Sequence, residues 1–115
     1  MTNKKIPFSP PDITQSEIDA VVEVLKSGWI TSGPKTAEFE KKLAAYSEAN
    51  YGVALNSATA GLELILKVMN VGPGDEVITT PYTYAATSNV LIHRGIKPTF
   101  VDVKKDHFHI DEEKI

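Results

Sequence analysis

Between residues 51 and 103, three short strand-like runs alternate with two helix-length segments, and this succession restricts the fold more than any other feature. Tyr51–Asn56 carries Val53 and Leu55, Glu76–Thr80 is stopped by Pro81, and Lys97–Val103 follows a glycine. Ser57–Asn70 and Tyr84–Arg94 fill the gaps between them. Strand, helix, strand, helix, strand at these lengths predicts parallel strands joined by right-handed crossovers. Ser57–Asn70 places Leu62, Leu64, Ile65, Leu66, Val68 and Met69 around most of a helical circumference, the pattern of a mostly buried helix. Gly72-Pro73-Gly74-Asp75 predicts a turn, and Gly95 predicts the close of the second helix. A parallel sheet needs helices on both faces. The expected fold class is therefore α/β, a parallel-type sheet with flanking helices, left incomplete within these 115 residues.

The first third of the chain has a different character. Lys4–Pro11 holds three prolines and is expected to run extended along a surface. Thr14-Gln15-Ser16-Glu17 has the capping-box pattern: Thr14 can accept from the Glu17 amide while Glu17 reaches back to the Thr14 amide. Ile18, Val21, Val22 and Leu25 follow at helical spacing, and Gly28 suits the left-handed position after the last turn. Trp29 to Pro34 has neither period and reads as a loop. A second helix is expected from about Thr36 to Asn50, with Phe39, Leu43 and Tyr46 as its apolar stripe and Glu38 paired to Lys42. The tail from Lys104 has little pattern, although Asp111 could start another helix. Two regions are expected: residues 1–35 as arm, helix and tryptophan loop, and residues 36–115 as the first part of an α/β domain.

Composition removes several function classes. The net charge is −3 and no Lys/Arg run exceeds two residues, so the basic face of a general nucleic-acid binder is missing. There is no cysteine, which excludes disulfides, a thiolate nucleophile and a cysteine-based zinc site. The apolar runs are far short of a membrane span, and Met1–Lys5 is not followed by the apolar core of a signal peptide. A cytoplasmic protein with no membrane or nucleic-acid partner is the simplest expectation.

Chemistry is expected where strands hand over to helices, because ligands of parallel sheets lie beyond the carboxyl ends of the strands. Asn56-Ser57-Ala58-Thr59-Ala60-Gly61-Leu62 occupies such a junction. The first amides of a helix lack internal partners and carry partial positive charge, so small side chains there leave room for a phosphate. Ser57 and Thr59 add hydroxyls, and Ala58 and Ala60 keep the approach open. The alternative is that Ser57 merely caps the helix. Pro81-Tyr82-Thr83-Tyr84-Ala85-Ala86-Thr87 leaves the next strand at the same edge, where a tyrosine ring could cover a flat ligand or could instead pack in the core. Trp29 could line a substrate channel, plug a subunit interface or simply anchor the loop. His107-Phe108-His109 would put two imidazoles on one face of an extended tail, but no acidic or cysteine partner is placed to complete a metal site, and both are read as solvent-exposed or partly packed histidines. Asp102 is read as a strand-end acid that satisfies turn amides.

Taken together these segments resemble the DegT/DnrJ/StrS type of sugar-nucleotide aminotransferase. Pro7-Phe8-Ser9, Ser27-Gly28-Trp29-Ile30-Thr31-Ser32-Gly33-Pro34 and Phe39-Glu40 are similar to that family's opening. Asn56–Leu62 looks like its cofactor-phosphate loop. Gly72-Pro73-Gly74-Asp75-Glu76-Val77-Ile78-Thr79, then Tyr82–Thr87, then Pro98-Thr99-Phe100-Val101-Asp102-Val103 follow in the family's order. Within the family the wording is most similar to the enzymes that aminate C4 of UDP-linked 4-keto sugars, the UDP-4-amino-4-deoxy-L-arabinose–oxoglutarate type.

The resemblance implies the N-terminal part of the large domain of a fold type I transferase dependent on pyridoxal 5′-phosphate (PLP). It implies a cofactor set of Ser57, Ala58, Thr59, Tyr84 and Thr87, with Ala58 and Thr59 on the phosphate and Tyr84 on the pyridine ring. It places Trp29, Ile30, Thr31 and Gly33 near the sugar or the contact of a homodimer. Glutamate, leaving as 2-oxoglutarate, would be the amino donor and a UDP-keto sugar the acceptor, in the synthesis of cell-surface or secondary-metabolite amino sugars. The family's Schiff-base lysine and its pyridine-pairing aspartate lie downstream of these motifs, so no catalytic residue is assigned here and the chain alone is expected to be inactive. A sister dehydratase with histidine at the lysine position, and a non-catalytic module that binds a phosphorylated ligand, are the alternatives.

Overall fold

A computed structural model describes residues 6–115. The expectation for residues 4 and 5 lies outside the described residues; residues 6–14 carry no regular structure and are exposed. The chain divides into two compact units, Met1–Ala54 and Leu55–Ile115.

In the first unit, helix α1 spans Gln15–Ser27. The capping box forms at its head, where the Thr14 amide donates to the Glu17 carboxylate at 2.6 Å. Gly28 ends the helix at φ 73°, with its amide donating to the Leu25 carbonyl. Helix α2 spans Pro34–Tyr46, starting earlier and ending earlier than the sequence pattern suggested. Pro34 suits the first helical position because its missing N–H would have no partner there. At the other end Glu48 turns left-handed, at φ 53°, and the Ala49 amide returns to the Ala44 carbonyl at 2.9 Å. These bonds close the helix at Tyr46, so it does not reach Asn50. Lys42 pairs with Glu38 at 2.6 Å, as the four-residue spacing predicts.

Residues 51–56 do not form the expected strand. A strand exists only through a ladder partner, and the Ala54 amide instead donates to the Glu40 carboxylate at 2.9 Å. The segment passes so close to α2 that a Cβ on Gly52 would lie 2.6 Å from the Glu40 carbonyl oxygen.

In the second unit, α3 spans Ala58–Val68, β1 Glu76–Thr79, α4 Ala86–His93 and β2 Lys97–Phe100. The two strands pair in parallel, Glu76 opposite Lys97 and Thr79 opposite Phe100. The expected parallel sheet is present, with two strands rather than three among the described residues. The Lys97 and Val101 amides extend the ladder to the carbonyls of Asp75 and Thr79. The turn before β1 closes through Asp75, whose carboxylate accepts from the Gly72 amide at 2.8 Å. Val90, Leu91 and Ile96 form the core, with Leu66, Val71 and Val77 packed against it. Arg94 donates twice to the Val71 carbonyl, at 3.3 and 3.0 Å, tying the end of α4 to the segment that follows α3.

Helix α3 corrects a second expectation: it contains no buried residue. Leu64, Ile65, Val68 and Met69 are exposed, because the second unit covers the helix only through α4 and the core beside Leu66. The third strand is shortened for a similar reason. After Val101 the chain leaves β1, and Val103 instead pairs antiparallel with Ile110. Asp111 does begin a short 3-10 helix, Glu112–Lys114, by accepting from the Glu113 amide.

Candidate functional site

The junction at Ser57 has the geometry of a helix N-terminus with unused amides. Ser57 is extended and its hydroxyl accepts from the Ala60 amide at 3.2 Å, while its carbonyl receives the Gly61 amide. Ser57 is thus a true cap. The amides of Ala58 and Thr59 precede the first intrahelical bond and find no acceptor among the described residues. Ser57 and Ala58 are exposed and Thr59 is half-buried. The first turn carries no acidic residue, and no side chain from 57 to 60 is larger than threonine. Capping and anion binding are therefore compatible here: the cap consumes one amide and leaves two.

Thr87 sits in the first turn of α4, and α4 packs on α3. The Thr87 hydroxyl lies 3.2 Å from that of Thr83, and its amide donates to the Tyr84 carbonyl at 3.0 Å. That last bond makes 84–87 a turn, which is why the helix begins at Ala86 and not at Tyr84. Neither tyrosine packs in the core: Tyr82 is 64% and Tyr84 82% exposed. Tyr84 has a free ring face; Tyr82 is stacked on Phe108, with centroids 5.1 Å apart and 21° between planes. The Phe108 contact was not legible in the sequence, since it joins residues far apart through a loop.

In the first unit, Trp29, Ile30, Thr31 and Gly33 line one cleft of about 470 Å³ together with Glu23 and Lys35. That volume falls within the range of small-molecule sites. The Trp29 indole donates to the Ser32 carbonyl at 3.0 Å and lies on Gly33, where a Cβ would come 2.1 Å from the indole nitrogen. The tryptophan therefore both anchors the loop and walls the cleft. Glu40, which sequence reasoning left without a role, clamps the Ala54 amide.

The remaining candidates are structural. Phe108 is left-handed, at φ 55°, so the tail is turned rather than extended, and both neighbouring histidines are exposed. Among the described residues no three His, Asp or Glu side chains group as a metal site. Asp102 accepts from its neighbour's amide, Val103, at 2.8 Å. No helix among the described residues is long and apolar enough to cross a membrane.

Comparison with known proteins places these features in context. The profile of the DegT/DnrJ/EryC1/StrS aminotransferase family matches residues 11–115. The spore coat polysaccharide biosynthesis protein SpsC of Bacillus subtilis is 47% identical over 113 residues, which is 98% of this chain and 29% of SpsC. The UDP-4-amino-4-deoxy-L-arabinose–oxoglutarate aminotransferase of Shewanella sediminis is 47% identical over 111 residues, covering 96% of this chain and 29% of that protein. Among solved structures, Spr1654 of Streptococcus pneumoniae in its PMP form superposes with a TM-score of 0.89 at 55% identity, over 95% of this chain and 28% of Spr1654. The chain thus spans under a third of the length of the relatives it matches.

Proposed function

The chain belongs to the DegT/DnrJ/EryC1/StrS aminotransferase family, and on that premise we propose that the protein carrying it moves an amino group from glutamate to the keto carbon of a UDP-linked 4-keto sugar, with PLP as cofactor. The observation that carries this reading is the opening of α3, where the amides of Ala58 and Thr59 are unused and flanked by small, uncharged side chains. A phosphate dianion would match that donor set: each amide could donate to one oxygen, the Thr59 hydroxyl would add a third donor, and the helix dipole would favour the charge. The PLP and PMP forms of Spr1654 support the choice of cofactor. The printed name of the Shewanella relative supports a UDP-sugar and oxoglutarate.

Bound PLP would supply the electron sink and carry the amino group between donor and acceptor. This chain's residues hold and orient. Ser57 fixes the first turn through Ala60, so the two free amides keep a constant direction. Tyr84, with an open ring face, would cover the pyridine ring. Thr87 holds the end of the same loop through Thr83. The cleft walled by Trp29, Ile30, Thr31 and Gly33 has room for part of the sugar substrate, and Glu23 and Lys35 give it both signs of charge. No lysine of this chain stands in the context of the family's catalytic lysine, so the 115 residues alone are proposed to be inactive.

Thr59→Val in the complete protein tests the phosphate assignment, since valine keeps the shape and removes the hydroxyl. PLP affinity should fall by about 1.5–3 kcal/mol, the usual worth of a hydrogen bond to a charged group, or roughly ten- to a hundredfold in Kd. Equilibrium dialysis against PLP reads this directly, and an unchanged Kd would remove Thr59 from the site.

A further inference from the structure

We propose that Phe108 is a positioning residue: through its stack on Tyr82 it fixes the loop from Pro81 to Ala85, and with it the ring of Tyr84. The proposal rests on the reading of Tyr84 as ring cover.

The loop has few other restraints. The Tyr82 amide donates to the Thr80 hydroxyl at 3.1 Å, and Thr83 meets Thr87 at 3.2 Å. The Ala85 carbonyl accepts from the Asn89 amide at 2.9 Å and the Ser88 hydroxyl at 3.2 Å, while among the described residues the hydrogen bond at Tyr84 is the one its carbonyl receives from the Thr87 amide. Tyr84 is 82% exposed, so packing does not set the direction of its ring. The Tyr82–Phe108 stack ties the middle of this loop to a separate part of the fold. Its centroid distance of 5.1 Å and its 21° tilt fall in the attractive range for offset aromatic pairs.

The other side of the stack is built to stay in place. Phe108 sits at φ 55°, a conformation that non-glycine residues adopt only when their surroundings require it. Here the turn supplies the requirement. The Phe108 amide donates to the Lys104 carbonyl at 3.2 Å, and the Lys104 amide to the His109 carbonyl at 2.8 Å. The Val103–Ile110 bridge and the Asp111 amide to Asp102 carbonyl bond, at 2.9 Å, close the base of the turn. A phenylalanine at an unfavourable dihedral and 61% exposed contributes little to any core. Its ring instead serves as a fixed platform for Tyr82.

The experiment uses the complete protein with PLP bound and compares Phe108→Leu, Phe108→Tyr, Tyr84→Ala and the double variant Phe108→Leu/Tyr84→Ala. Two readouts are taken: the induced circular dichroism of the cofactor, and the ring-current shift of the Tyr82 ring protons by NMR. Phe108→Leu should abolish the Tyr82 shift and reduce the cofactor signal at least twofold. Phe108→Tyr should restore both, and the double variant should look like Tyr84→Ala alone. If Phe108→Leu leaves the cofactor signal intact while Tyr84→Ala changes it, Phe108 does not position Tyr84, and the ring-cover reading survives. If Tyr84→Ala has no effect on the signal, the ring-cover reading fails. The loop role of Phe108 is then decided by the Tyr82 shift and the Thr83 and Tyr84 amide shifts, and their persistence in Phe108→Leu overturns it.

Discussion

The Glu17 carboxylate accepts three bonds at the head of α1, from the Thr14 amide at 2.6 Å, the Thr14 hydroxyl at 2.5 Å and the Ser16 hydroxyl at 3.1 Å. The two bonds from Thr14, with smaller help from its own amide and Ser16, hold its carboxyl at about 2, well below its ordinary 4.5. A depressed carboxylate favours the folded cap at every pH above its unfolded value, and that contribution is lost as pH falls from about 4.5 through about 2. Carbon-detected NMR titration should give a Glu17 midpoint near 2, with helical shifts of Ile18 and Asp19 fading over the same range. A midpoint near 4.5 would mean that the cap is not formed in solution. This arrangement was legible in the sequence because it spans three residues, and so was the left-handed Gly28. Glu40 shows the opposite case. Its carboxylate meets an amide fourteen positions along, and nothing in the local pattern around Phe39-Glu40 signals that partner.

At the scale of elements, two glycines separate space from conformation. Gly33 is extended and Gly52 has no positive φ, so neither needs glycine for its dihedrals. Both need it for room, but what occupies the room differs. A Cβ at 33 would collide with the Trp29 indole, a half-exposed side chain that can swing away at the cost of its bond to the Ser32 carbonyl. A Cβ at 52 would collide with the Glu40 carbonyl, which is fixed in α2. Gly33→Ala should therefore change the fluorescence of the chain's single tryptophan and leave the Ala54 amide protected. Gly52→Ala should do the reverse: overpacking against backbone costs about 1–3 kcal/mol, and Ala54 amide exchange should accelerate roughly five- to a hundredfold while the tryptophan emission stays put. Equal effects of the two substitutions on Ala54 exchange would show that the 52–54 segment is not pinned at Glu40. The helices were readable from caps and periodicity, since both are local. The strand expected at 51–56 was not, because a strand is defined by a partner that the segment itself does not encode.

For the whole molecule, the decisive contrast is between the apolar content of α3 and its surroundings. Its sequence is that of a helix covered on most sides, yet Leu64, Ile65, Val68 and Met69 are exposed, and the second unit's buried cluster consists of Val90, Leu91 and Ile96. The apolar pattern predicts a mostly buried helix, and among the described residues that expectation fails: no residue of α3 is buried, and only Leu66 packs against the core. Relatives that the chain matches at 47% identity are more than three times as long. Produced as these 115 residues alone, the chain should therefore bind a hydrophobic dye strongly and lose structure gradually in urea, because few buried contacts link one element to the next. Protection from hydrogen exchange should concentrate on the Lys97 and Val101 amides, which close the β1–β2 ladder beside the core. In the complete protein, dye binding should fall and the α3 amides should join that protected set. A sharp urea transition of the isolated chain, with the slope expected for a fully packed domain of this length, would contradict this account. It would mean that α3 finds its cover within these residues.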